Sequence, residues 1–203
     1  MATFTALRTG DALIVVDLQN DFRPGGALAV PRGDEVVPIL NQYLQLFARE
    51  FLHVFATRDW HPADHLSFQS RGGIWPNHCV RDTKGAAFPA SFALPNDATV
   101  ISKADGDREA YSGFDGTALD KQLREAGVKR LFVGGLATDY CVLQTVRDAV
   151  RHGYDVFLLR DAIRAVNVNE ADGPKAEAEM SQLGATPIQI DALRLAALPP
   201  ARC

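Results

Sequence analysis

The stretch Arg130-Leu-Phe-Val-Gly-Gly-Leu-Ala-Thr-Asp-Tyr-Cys-Val-Leu-Gln carries an apolar segment into two glycines and then into a helical pattern. Leu131–Val133 reads as a buried strand, Gly134 and Gly135 supply the backbone freedom of a turn, and Val142 to Val150 repeats apolar positions at helical spacing. A strand that feeds a helix through a glycine turn is half of a βαβ unit, so the expected sheet is parallel. Cys141 falls about one turn into that helix, where first-turn N–H groups and the positive end of the helix dipole favour a thiolate.

Outward from this unit the same alternation recurs. Apolar runs at Leu13–Val16, Leu52–Thr57, Thr99–Ile101, Val156–Leu159 and Pro187–Ile190 read as further strands. Between them, Asp34 to Arg49 places Val37, Leu40, Leu44 and Phe47 on one helical face. Leu119 to Ala126 repeats that spacing, and Glu170 to Leu183 is a more polar helix ending before Gly184. The expectation is an α/β fold, a doubly wound, mainly parallel six-stranded sheet with helices on both faces, in a single domain over residues 1–203. Phe51, Phe55 and Phe132 read as core aromatics, and the tail Leu193 to Cys203 as a loose extension.

Composition narrows the partners. The chain has 203 residues, 47% hydrophobic and 23% charged, which suits one sizeable core. A net charge of −4 argues against nucleic acid or an anionic membrane, since both call for clustered Lys and Arg, and points to a small molecule. The opening Met-Ala-Thr-Phe-Thr-Ala-Leu-Arg-Thr-Gly lacks the pattern of a secretory signal, and no apolar segment approaches a membrane span. Three scattered cysteines do not describe a disulfide framework, so a cytoplasmic location is expected. Cys79 reads as packing filler and Cys203 as incidental.

One interval breaks the alternation. From Asp59 to about Asp97 the chain is rich in Pro, Gly, Asn and Ser and holds three histidines and two tryptophans. Loops of this length in compact domains are usually functional or disordered, and the aromatic and histidine content favours function. Asp17, Asp59, Lys103 and the Gly134–Cys141 turn all lie at strand carboxyl ends, where open α/β sheets bind ligands. Taken singly, each has a plainer reading: Asp17 as a cap or turn residue, Lys103 as a solvated end, Cys141 as a small buried hydrophobe. Taken together, they aim at one crevice. Asp59, His61 and His78 would suit a borderline divalent ion such as zinc, iron or manganese, although their spacing alone is a weak signal.

Val16-Asp-Leu-Gln-Asn-Asp-Phe, Thr57-Arg-Asp-Trp-His-Pro, Trp75-Pro-Asn-His-Cys, Tyr111-Ser-Gly-Phe and Gly135-Leu-Ala-Thr-Asp-Tyr-Cys-Val occur in that order. Together they resemble the nicotinamidase branch of the isochorismatase-like cysteine hydrolases, from roughly Asp11 to Ile190. The resemblance implies a catalytic triad of Asp17, Lys103 and Cys141. It also implies an oxyanion hole from the N–H groups of Ala137 and Cys141, with a cis peptide at Leu136–Ala137. Asp59, His61 and His78 would be metal ligands, with Ser67 at a fourth position near the ion, directly or through water, and His65 in support. Phe22, Trp75 and Tyr140 would line a slot for a flat aromatic ring, with the role of Tyr111 open.

The activity implied is hydrolysis of nicotinamide to nicotinate and ammonia through a thioester, in NAD salvage, extending to pyrazinamide. One divalent metal ion, zinc before iron or manganese, is the only cofactor, and a homo-oligomer is compatible. Two alternatives stand beside it: a cysteine amidase of the same superfamily acting on a carbamoyl or ureido compound, and a non-catalytic small-molecule binder.

Overall fold

The computed structural model describes residues 4–195. Six strands form one sheet: β2 (Asp11–Val16), β3 (His53–Asp59), β4 (Thr99–Lys103), β5 (Arg130–Leu136), β6 (Asp155–Arg164) and β7 (Thr186–Ile188), in the spatial order β4-β3-β2-β5-β6-β7. Every pairing is parallel. The first strand of this sheet lies in the middle and the chain winds outward to each side, so strand order reverses between β2 and β5. That reversal is where doubly wound sheets hold their ligands.

Alternation along the central strands explains why both faces need cover. In β2, Leu13 and Val15 face one core while Ala12, Ile14 and Val16 face the other, and every residue of the strand is buried. On the first side, α1 (Val36–Arg49) lays down Val37, Leu40, Leu44 and Phe47 as read from its spacing, joined by Tyr43. Ala86 and Phe92 of the long loop extend that cover. On the other side lie α2 (Leu119–Glu125), α3 (Leu143–Arg151) and α4 (Asp172–Gln182), which contribute Leu123, Val146 and Met180. Phe132 is held between Phe47 at 5.4 Å and Phe157 at 4.7 Å, and its loss would cost about 3–5 kcal/mol.

At the amino ends of β2 and β5, register partners Asp11 and Arg130 form a buried two-point ion pair with both contacts at 2.6 Å. This leaves the carboxyl ends for chemistry.

The structure departs from the sequence reading at the margins. Thr5–Ala6 (β1) and Leu193–Arg194 (β8) form a small parallel pair, so the start of the expected loose tail is a strand; Cys203 lies outside the described residues. Phe51 is 95% exposed rather than core. It sits at φ 53° in the reversal after α1, and the left-handed turn directs its ring outward.

Candidate active site

Val16 ends β2 and hands the chain to Asp17, whose φ of 44° turns it out of the sheet. Thr57 of the neighbouring strand fixes that turn. Its hydroxyl donates to Asp17 Oδ1 at 2.6 Å and accepts the Asp17 N–H at 3.2 Å. Lys103, at the end of β4, is fully buried with its Nζ 2.9 Å from Asp17 Oδ2. The same ammonium donates to Asp59 Oδ1, to the Ala110 carbonyl at 3.1 Å and to Cys141 Sγ at 3.5 Å. One oxygen each of Asp17 and Asp59 lies with Cys141 Sγ inside a mutual 4.8 Å.

Cys141 reaches this cluster because of the turn that precedes it. Gly135 has φ 124°, and a Cβ there would stand 2.1 Å from the Val16 carbonyl oxygen, so only glycine lets β5 pass the end of β2. The Leu136–Ala137 peptide is cis, as the resemblance implied. Thr138–Val142 then forms a wide π-helical turn rather than a regular first turn of α-helix, and α3 follows it.

Electrostatics here differ from the simple helix-dipole expectation. Burial pushes the Cys141 thiol well above its usual 9.0; Asp17 and Asp59 add to this, and Lys103 offsets it in part. Burial also raises the Asp17 carboxyl, against the pull of Lys103. Asp59 is held below the usual carboxylate range because Lys103 and His61 outweigh its burial. The resting sulfur is thus a thiol beside a carboxyl whose raised proton affinity makes it a better proton acceptor than an ordinary aspartate.

The second cluster meets the first at Asp59. His61 Nδ1 lies 3.1 Å from the Ala104 carbonyl and His78 Nδ1 lies 2.8 Å from that of Pro76, which makes both Nδ1 atoms donors and turns both Nε2 lone pairs inward. Those two nitrogens lie 3.7 and 4.0 Å from Asp59 Oδ2, and all three ligand atoms fall within 4.8 Å of one another. His61 Nε2 is buried and has no hydrogen-bond partner among the described residues. A buried lone pair left unmatched beside a carboxylate is what a cation site presents, and two imidazoles with one carboxylate fit a divalent ion. Burial lowers the proton affinity of His78 and keeps it in the neutral, ligating form. His61 is raised despite its burial, because the Asp59 carboxylate favours a cation at that point.

Ser67 is buried, with its hydroxyl 2.8 Å from His65 Nδ1, and His65 stacks on His61 at 4.2 Å. His65 therefore supports the His61 ring from behind. Cys79 is buried with its N–H donating to Asp21 Oδ2 at 2.7 Å, a packing and anchoring position.

A narrow cleft opens over both clusters. Phe22, Trp75, Tyr111 and Tyr140 wall it, and Ala137, Cys141, Asp59 and His78 line it. The Trp75 indole donates to the Tyr111 hydroxyl at 3.0 Å and packs edge-on to Tyr140 at 5.2 Å, which gives Tyr111 a place in the wall. Sequence reading missed Thr57, Glu109 at the cleft wall, and Gln19. The Gln19 amide accepts the Asp59 N–H at 2.7 Å and donates to the Asp59 carbonyl at 2.8 Å.

The doubly wound α/β sheet, taken with the relatives of this chain, defines a hydrolase acting on an amide bond. Residues 11–192 match the isochorismatase domain. The chain belongs to that family, in its nicotinamidase branch. It is 40% identical to a nicotinamidase of Escherichia coli (strain K12) over 86% of this chain and 92% of that protein. Among solved structures, a Pyrococcus horikoshii pyrazinamidase in complex with zinc is similar with a TM-score of 0.86 and 50% identity, over 89% of this chain and 99% of that one. PnC1 from L. infantum in complex with nicotinate has a TM-score of 0.88 and 35% identity, over 95% and 99%. Among the described residues, no helix is long and apolar enough to cross a membrane.

Proposed function

We propose that the chain is a nicotinamidase, releasing ammonia from nicotinamide to leave nicotinate, and that pyrazinamide is a second substrate. The observation that carries this is the meeting of a buried thiol, its ion-paired carboxylates and a three-donor cluster in one aromatic cleft, in a chain whose relatives are nicotinamidases.

In this proposal Asp17 takes the Cys141 proton, and the thiolate attacks the amide carbon to form a C–S bond. Lys103 lies 3.5 Å from sulfur and steadies the charge that appears there. The N–H groups of Ala137 and Cys141 hold the tetrahedral oxyanion; losing one such donor typically costs about 100- to 1000-fold in rate. Asp17 returns its proton to the departing nitrogen, the C–N bond breaks, and ammonia leaves a thioester. The freed carboxylate then takes a proton from water, which attacks the thioester carbon; the sulfur recovers the proton and nicotinate departs. Phe22, Trp75 and Tyr140 stack on the ring and exclude water from the sulfur.

Asp59, His61 and His78 would hold one divalent ion, zinc, with Ser67 meeting it through water. When bound, that ion supplies Lewis acidity and a coordination position for a ring nitrogen.

Ammonia release from nicotinamide by the purified protein tests the reading. Release with nicotinate as co-product supports it. Turnover of a carbamoyl or ureido compound without turnover of nicotinamide would replace it with that class of amidase.

A further inference from the structure

Asp139 lies two residues before Cys141, in the turn that bears the sulfur, and its carboxylate reaches across to the segment following β6. Oδ1 accepts the Val166 N–H at 2.9 Å and Oδ2 accepts the Asn167 N–H at 2.8 Å. Asn167 is held at φ 54°, and its own Oδ1 accepts the N–H of Gly173 in α4 at 2.8 Å. Gly173 is tightly enclosed: a Cβ there would stand 2.7 Å from Ala165 Cβ and 3.0 Å from Asn167 Oδ1. Val166, the residue tied down by Asp139, lines the cleft alongside Tyr140 and Cys141.

We propose that Asp139 is a positioning residue that fixes Val166 at a set distance from Cys141, and thereby sets which ring amides the slot accepts. The inference rests on the amidase reading. Two N–H groups bound to the two oxygens of one carboxylate fix orientation as well as distance, and each bond is charge-assisted. An asparagine in that place keeps one acceptor and turns an N–H donor group toward the second N–H, so one of the two attachments is lost. Val166 then has no single position. A small ring is gripped less well and a wider ring is excluded less well.

The test compares nicotinamide with 5-methylnicotinamide in Asp139→Asn, Val166→Ala, the double variant and Gly173→Ala. Asp139→Asn is expected to raise KM for nicotinamide about tenfold with a much smaller change in kcat, and to lower the preference for nicotinamide about fivefold. Val166→Ala lowers the same preference. The double variant lowers it no further than the larger single effect, because both act through one wall. Gly173→Ala, whose methyl presses first on Ala165 Cβ and Asn167 Oδ1, shifts the preference in the same direction. A loss of kcat at unchanged KM, multiplying effects in the double variant, or a wild-type preference in Gly173→Ala would overturn the proposal. If Asp139→Asn fails to fold, Asp139→Ser and Gly173→Ala carry the comparison. Calorimetric affinities of both compounds for Cys141→Ala, with and without Asp139→Asn, read the wall without hydrolysis. A wild-type protein that binds nicotinamide but releases no ammonia therefore sinks the amidase reading alone, whereas unchanged relative affinities there sink this one.

Discussion

Asp59 and Lys103 are register partners at the carboxyl ends of two adjacent parallel strands, β3 and β4. One oxygen of Asp59 meets the ammonium while the other faces the Nε2 atoms of His61 and His78. A single carboxylate thus joins the thiol cluster to the proposed metal cluster. The register of β3 against β4 puts it there.

Lys103 compensates two buried carboxylates, Asp17 and Asp59, at once. Lys103→Met keeps most of the side-chain volume but leaves both without a counter-charge, and is expected to destabilise the protein by about 3–5 kcal/mol. Adding Asp59→Asn should recover part of that loss. Urea unfolding of the two variants measures it. A Lys103→Met protein as stable as the wild type would show that the cluster does not need its cation.

The buried groups also set a pH dependence in the metal-free protein. Burial raises the Cys141 thiol well above 9.0, and Lys103, although burial opposes its charge, is held well above 10.5 by Asp17 and Asp59. The folded chain therefore keeps both protons where the unfolded chain has lost them. Their contribution is complete below about pH 9 and declines as pH climbs toward the folded-state values. Asp59 is lowered, so its contribution is present above 3.8 and is lost as pH falls through its folded value. Asp17 is raised and runs the other way, subtracting stability as pH rises above 3.8. Urea midpoints measured from pH 7 to 11 should fall on the alkaline side, with the earliest part of the fall missing in Cys141→Ala. A flat profile over that range contradicts the assignment.

Cys141→Ala should fold, since it removes one small buried sulfur, and should bind nicotinamide. Hydrolysis is expected to drop by at least about a thousandfold, as for other nucleophiles that act as part of a unit. Ammonia release above about one per cent of wild type would reject sulfur as the nucleophile.

His61→Ala removes the Nε2 lone pair that has no hydrogen-bond partner among the described residues. Metal affinity should fall more than about 100-fold, and nicotinamide affinity with it. Elemental analysis of the wild type and of the variant, with calorimetric titration of zinc into both, checks this. Active wild-type protein without bound metal would remove the ion from the proposal.

How much of this could be read from the residues alone depends on how far each feature relies on distant contacts. The central strands β2 and β5 are legible because burial on both faces makes them near-continuous apolar runs, as in Ala12–Val16, and the edge strands β4 and β7 are legible only as short β-branched runs. The pair Thr5–Ala6 and Leu193–Arg194 is not legible, since two residues carry no period. Asp17, Lys103 and Cys141 are legible as residues at strand ends, and Asp59, His61 and His78 as a donor set. That Asp59 serves both clusters is not legible, because it follows from the register of β3 against β4. Thr57 and Gln19 escape the sequence reading for the same reason: their partners lie across the fold, and neutral side chains such as threonine and glutamine have no spacing rule that marks them, while Glu109 is placed on the cleft wall by the fold alone. Phe51 shows the converse limit, where hydrophobicity suggested core and a left-handed turn placed the ring in solvent.

Gln19 offers the sharpest test of how the site is held. Its Oε1 accepts the Asp59 N–H at 2.7 Å, and its Nε2 donates to the carbonyls of Asp59 at 2.8 Å and Ala86 at 2.9 Å. The amide therefore grips the main chain of Asp59 from both sides and ties it to the loop carrying His78. Gln19→Leu leaves one N–H and two carbonyls buried without these partners, at about 1–3 kcal/mol for each group left unsatisfied. Gln19→Glu keeps the acceptor but sets a second oxygen against two carbonyls, so it should be no milder. In both variants the donor set loses its fixed geometry. Zinc affinity is expected to fall about 10- to 100-fold, in line with other groups that support metal ligands from behind. A variant that loses thermal stability yet binds zinc with wild-type affinity would show that Gln19 supports the fold and not the placement of Asp59.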